Sequence, residues 1–140
     1  MVQKIMNILV PLDDSKDSAR GLDKAISIAK ESNAKITGIN VVTVAPTLAS
    51  SVINYKKFLT TKAEKLLDSA KKKCEKQEIK FASKIQYGSP ASKIVETAEK
   101  GKFDMVVMGS RGIGGIRGAI LGSVANTVVN KSKVSVLVVK

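Results

Sequence analysis

Short apolar runs alternate along the chain with segments whose apolar positions step by three and four. The first run, Ile5 to Leu12, has Ile8, Leu9 and Val10 in succession and stops at Asp13-Asp14-Ser15. A run apolar on both faces suits a central strand of a parallel sheet. Asp14 or Ser15 then caps a helix with an inward stripe of Ala19, Leu22, Ile26 and Ala29. Ala34 to Val44 is a second strand, rich in β-branched residues and closed by Pro46. From about Ser51 to Gln77 the positions Leu59, Ala63, Leu66, Ala70 and Cys74 trace one long amphipathic helix. Phe81 to Tyr87 is a third strand. Ser89 as cap and Pro90 at the first helical position open a helix that turns Ile94, Val95 and Ala98 inward and ends at Gly101. Met105 to Met108 is a fourth strand, Val124 to Asn130 a short helix, and Val134 to Val139 a last strand of valine and leucine. The order βαβαβαβαβ requires parallel strands joined by right-handed crossovers, with helices on both faces of the sheet.

Between the fourth strand and the last helix, Gly109 to Ser123 holds six of the chain's ten glycines. Gly109-Ser110-Arg111-Gly112, nine further residues and Gly122-Ser123 spell G-x2-G-x9-G-S at a strand-to-helix junction. Glycine admits close approach and positive φ, so successive amides can face an anion, and a helix N-terminus favours phosphate. A lysine does not follow the last glycine, which excludes a P-loop, and Arg117 stands where a dinucleotide fingerprint starting at Gly112 needs its third glycine. With sheet order 3-2-1-4-5, strands 1 and 4 flank the switch point, and Asp13 and Gly109 face one crevice. Asp13 can accept hydrogen bonds from a ribose or base, or hold magnesium beside phosphates. Its competing role is helix capping. Asp14 reads as structural.

Composition narrows the chemistry. The 140 residues, 44% of them apolar, suit one domain over 1–140 with an ordinary core and leave no room for a separate catalytic domain. No histidine is present, which removes imidazole-dependent triads and metal sites. The single cysteine, the short apolar start and the absence of about 18 consecutive apolar residues point to a soluble cytoplasmic protein without a membrane partner.

The stretches Ile8-Leu9-Val10-Pro11-Leu12-Asp13, Gly88-Ser89-Pro90-Ala91, Val107-Met108-Gly109-Ser110-Arg111-Gly112, Gly122-Ser123 and Val136-Leu137-Val138-Val139 together resemble the universal stress proteins, UspA-like, of the ATP-binding subgroup. The resemblance spans essentially the whole chain. It implies an α/β three-layer sandwich of the adenine nucleotide alpha hydrolase-like kind, with a five-stranded parallel sheet. It further implies ATP, or ADP or AMP, with magnesium, held between Asp13 and the glycine loop. Pro11, Leu12 and Asp13 would flank the adenosine, and the Val41 backbone would read the adenine edge. Met108, Gly109 and Gly112 would follow the ribose and phosphates, and Gly122, Ser123, Val124 and Ala125 would cradle the phosphates. Family members also dimerise through the last strand, here Val134 to Val139, whose apolar edge would otherwise invite aggregation.

Asp13, Ser123 and the arginines Arg111 and Arg117 are the only groups on hand for phosphoryl transfer; the arginines either touch phosphate or solvate a loop. A regulatory nucleotide-binding module with at most slow hydrolysis is the reading, its protein partner undetermined. A phospho-receiver would need an acid where the third strand ends in Gln86-Tyr87-Gly88. A nucleic-acid binder is the rival suggested by the net charge of +12. Ten lysines against four acids lie between Asn54 and Lys84, but five aromatics without tryptophan offer few stacking platforms. A solvated lysine face is the favoured account. Cys74, beside three lysines, is read as a buried small hydrophobe in preference to an activated thiol.

Overall fold

A computed structural model describes residues 4–43, 49–111 and 121–140. Nine elements alternate: β1 (Asn7–Pro11), α1 (Lys16–Ser32), β2 (Lys35–Val42), α2 (Ala49–Lys76), β3 (Phe81–Tyr87), α3 (Pro90–Lys100), β4 (Met105–Gly109), α4 (Ser123–Lys131) and β5 (Ser135–Val139). The strands form one parallel sheet in the order β3-β2-β1-β4-β5, so the expected α/β architecture and strand order are present. Among the described residues no helix is long and apolar enough to cross a membrane.

Two cores flank the sheet. Alternate β residues Ile8, Val10, Ile36 and Val107 meet Leu22, Ala25, Ile26 and Ala29 of α1 and Leu67, Ala70 and Cys74 of α2. On the other face Leu9, Ile39, Val106 and Met108 meet Ile94 and Ala98 of α3 and Ala125 and Val128 of α4. Both faces of β1 are therefore buried, as its uninterrupted apolar run requires.

Several helix details depart from the sequence pattern. Ala19 is exposed, because α1 turns Ser18, Gly21, Leu22 and Ala25 inward and Ala19 lies a hundred-degree step off that face. On α2 Leu67, which the expected stripe left out, is 1% exposed, whereas Leu59 and Leu66 are half-buried on the flank of the stripe. Ser89 occupies the cap position of α3 without a side-chain cap bond, and Pro90 supplies the start. Gly101 ends α3 in a right-handed conformation. What demands glycine there is space: a Cβ would lie 2.5 Å from the Phe103 ring and 2.9 Å from the Thr97 carbonyl oxygen.

Charge on α2 faces water. Lys72 pairs with Asp68 at 3.1 Å, Lys71 approaches Glu75 at 4.0 Å, and Lys73 reaches across to Asp23 of α1. Such exposed pairs contribute little individually. Inward, Cys74 is fully buried, and desolvation pushes its thiol up to about 11 against the opposing pull of Lys73. The unfolded thiol ionises at its lower, ordinary value, so stability is unaffected at neutral pH and is lost as pH rises from about 9 toward 11, by at most about 1.4 kcal/mol per pH unit. Urea unfolding of the wild type and Cys74→Ala at pH 7 and pH 10.5 measures this: the wild type's advantage narrows at the higher pH.

Candidate functional site

The carboxyl ends of β1 and β4 lie side by side at the centre of the sheet, where the winding direction reverses. The register Ile8 to Met105 and Leu9 to Val106, carried forward, brings Leu12 alongside Gly109. Past Pro11 the chain leaves β1 through hydrogen bonds that organise the start of α1. Leu12 N donates to Ile39 O at 2.8 Å, and Asn40 Nδ2 donates to Leu12 O at 2.8 Å. Asp13 Oδ1 accepts from Ser15 N at 2.8 Å, and Asp13 N donates to Ser18 Oγ at 2.9 Å. Ser15 is the N-cap of α1, its hydroxyl accepting from Ser18 N at 3.1 Å. Asp13 is thus half-buried at the crevice; the cap of α1 is Ser15, and the Asp13 carboxylate braces the Ser15 amide in place of capping the helix itself, while Asp14 is exposed.

Side chains and backbone divide the work. Leu12 and Met108, each 5% exposed, belong to opposite cores, so only their peptide groups border the crevice. Pro11 is half-buried at the end of β1. On β2, Ile39 O faces β1 and Val42 O faces β3, where it accepts from Gly88 N at 3.0 Å. Peptide groups alternate along a strand, so those of Val41 face the β1 side, beyond the last paired position Pro11–Ile39.

Across the crevice, β4 runs into Ser110 and Arg111, and the chain returns at Gly122, the N-cap of α4. Gly122 N donates to Ser110 O at 2.7 Å, which sets the first turn of α4 against the end of β4. The first intrahelical bond there is Asn126 N to Gly122 O, 2.9 Å, so the amides of Ser123, Val124 and Ala125 precede the ladder, as in any helix N-terminus. Ser123 is exposed, Val124 half-buried and Ala125 buried in the second core. Gly122 has φ −70° and ψ 166°, an ordinary extended conformation; its Cβ would come within 3.2 Å of Arg111 Cα. Gly112 and Arg117 lie outside the described residues.

The sequence reading passed over Asp17. It is the acid of the first turn of α1, 9% exposed, and it spans the switch point. Its Oδ2 accepts from Ser110 Oγ at 3.2 Å and from Arg111 N at 3.1 Å, with Arg111 Nε 3.8 Å away, while its Oδ1 pairs with Arg20. The signal that could have found it was a carboxylate four residues after Asp13 on the helix face that packs against β4. Gly109 owes its identity to the same contact, because a Cβ there would meet the Asp17 carbonyl carbon and oxygen at 2.5 Å.

The profile of the universal stress protein family matches residues 4–140. The chain belongs to the universal stress protein family. It is 37% identical over 137 residues to universal stress protein MJ0531 of Methanocaldococcus jannaschii, a match covering 95% of this chain and 81% of that protein. Universal stress protein UspA from Lactobacillus plantarum has the same fold, with a TM-score of 0.88, 22% identity and coverage of 99% and 100% of the two chains. A universal stress protein solved in complex with cAMP is 27% identical, with a TM-score of 0.77 and 99% of each chain covered.

In this universal stress protein the packing at Gly109 is tight enough to test. Gly109→Ala forces α1 away from β4 and lowers stability by about 1–3 kcal/mol in urea unfolding, the usual cost of overpacking a close contact.

Proposed function

We propose that the crevice between β1 and β4 binds an adenine nucleotide, ATP or its di- or monophosphate, and that the protein is a nucleotide-dependent regulatory module with at most slow hydrolysis. The observation carrying this reading is the convergence, at one switch point, of Asp13, the Val41 peptide edge and the α4 N-terminus docked on Ser110 by the Gly122 amide. Open parallel sheets bind ligands at this place, and helix amides suit phosphate. The family relative solved with cAMP supports an adenine ligand of this class.

Within this reading, Pro11, Leu12 and Asp13 border the nucleoside and the Val41 backbone meets the adenine edge. Met108 and Gly109 follow the ribose by their backbone, Gly122, Ser123, Val124 and Ala125 take the phosphates, and the Arg111 guanidinium adds a cation. Magnesium fits the donor set to a limited degree. Among the described residues no group of three or more metal-ligating side chains occurs. Magnesium is commonly held by one or two carboxylates together with substrate phosphates, and Asp13 supplies one. The chain has no histidine to serve as general base, which favours binding over efficient turnover.

Denaturing the purified protein and identifying released nucleotide, followed by calorimetric titration, tests the reading. Adenine nucleotide is retained or bound, Ser123→Ala weakens it roughly threefold to tenfold by loss of one hydrogen bond, and Gly122→Val abolishes measurable binding. A folded wild type that neither retains nor binds adenine nucleotides overturns it.

The sheet edge at β5 supports a homodimer. Val139 O faces β4, accepting from Ser110 N at 2.9 Å, so the peptides of Val136 and Val138 face outward. Val138→Pro removes an outward N–H without breaking the β4 ladder. Sedimentation should find the wild type dimeric and this variant monomeric; a wild-type monomer at micromolar concentration contradicts the dimer.

A further inference from the structure

We infer that Asp17 is a positioning residue for phosphate recognition: its carboxylate fixes both the Arg111 backbone and, through Ser110, the start of α4. This rests on the nucleotide-binding reading above and adds to it a residue outside the spaced glycine pattern.

Ser110 is the junction. It is 3% exposed and joins three elements by three bonds: its amide donates to Val139 O of β5, its hydroxyl to Asp17 Oδ2 of α1, and its carbonyl accepts from Gly122 N at the cap of α4. Only the middle bond uses a side chain on both partners. The two backbone bonds set how far apart the elements lie, and the Asp17 bond sets how Ser110 and Arg111 are turned between them. Arg111 is held at two points by the same carboxylate oxygen, through its amide at 3.1 Å and its Nε at 3.8 Å. Its side chain, 39% exposed, is thereby tethered beside Asp17 at the exit of β4.

The chemistry suits positioning better than ligand contact. Asp17 is itself buried, its Oδ2 accepts both donors and its Oδ1 is paired with Arg20. An anion so engaged does not reach for a phosphate, but it decides where the amides and cation that do so are placed. Small displacements in a preorganised cradle are costly in affinity.

Because Ser110 Oγ and Arg111 N donate to the same oxygen, Asp17→Asn retains that acceptor through its amide oxygen and gives up the charge that pairs with Arg20 and Arg111. Asp17→Ala loses everything. Calorimetric titration of the full chain with ATP, AMP and adenosine separates the phosphate-dependent part of binding from the nucleoside part. Asp17→Ala weakens ATP and AMP roughly tenfold or more and leaves adenosine within about twofold, while Asp17→Asn stays within about threefold of the wild type for all three. Hydrogen exchange at the Arg111 and Gly122 amides accelerates in the alanine variant and not in the asparagine variant. A residue that merely stabilised the fold would lower the unfolding midpoint and leave the ATP-to-adenosine ratio untouched.

If the alanine chain lacks a cooperative unfolding transition, Ser110→Ala removes the same side-chain bond from its other end and takes its place. Unchanged exchange at both amides together with an unchanged ATP-to-adenosine ratio overturns the inference. A wild type that binds none of the three ligands overturns the nucleotide reading instead, and the exchange result alone then decides whether Asp17 holds this junction.

Discussion

The first two turns of α1 pack so closely on the carboxyl end of β4 that Gly109 has no room for a Cβ and Gly21 only a tight one. At Gly21 an added Cβ would lie 3.1 Å from the Gly109 amide nitrogen, and at Gly109 one would press on the Asp17 backbone. Two glycines on different elements are thus consumed by one crossing. Its consequences spread outward. α1 can lie over both central strands, the Asp17 carboxylate comes within reach of Ser110 and Arg111, and Ser110 meets the cap of α4 through the Gly122 amide. Glycine at the end of β4 is here first a packing requirement, and the openness of the crevice follows from where α1 then sits.

This bears on what a glycine-rich segment can tell a reader. The spacing G-x2-G-x9-G-S suggests a loop built to admit a ligand, and the mechanism attached to it is close approach and positive φ. At Gly109 the approaching atoms are the protein's own. At Gly122 the backbone is extended, and the tight neighbour is Arg111. One sequence signature therefore covers two physical causes, and spacing alone does not separate them. The inference that survives on geometry is the place, set by strand order, more than the reason each glycine was needed.

Most of the fold was legible because its determinants are local or periodic. A buried parallel strand reads as a short apolar run, and Ile8-Leu9-Val10 and Val106-Val107-Met108 announce themselves without knowledge of their neighbours. Helix faces were less legible where small residues are involved. Ala19 and Ala25 look alike in sequence, yet only Ala25 faces the core, because the stripe is fixed by the contact of Gly21 with β4. Asp17 was the least legible, since an acid in a first helical turn is ordinary for reasons of the helix dipole. Its burial depends on Ser110 and Arg111, more than ninety positions away in the chain, and no local pattern carries that distance.

The charge balance around the crevice follows from the same arrangement. The first turn of α1 and the exit of β4 carry Asp13, Asp14 and Asp17 with Lys16, Arg20 and Arg111, so the described residues there sum to zero while the whole chain carries +12. The largest share of the lysine surplus, eight lysines against three acids, lies on α2, where it faces solvent. Charges separated by more than about 8–10 Å are largely screened at physiological salt. That surplus therefore steers encounter with anions mainly at low salt, and screening leaves it little influence on the crevice at physiological salt. On the nucleotide-binding reading proposed above, holding would fall to dipoles at the α4 N-terminus and to Arg111. The direction of a few amides then matters there more than accumulated charge, and the buried Asp17 carboxylate, with two arginine partners, sits beside the crevice without making it net negative.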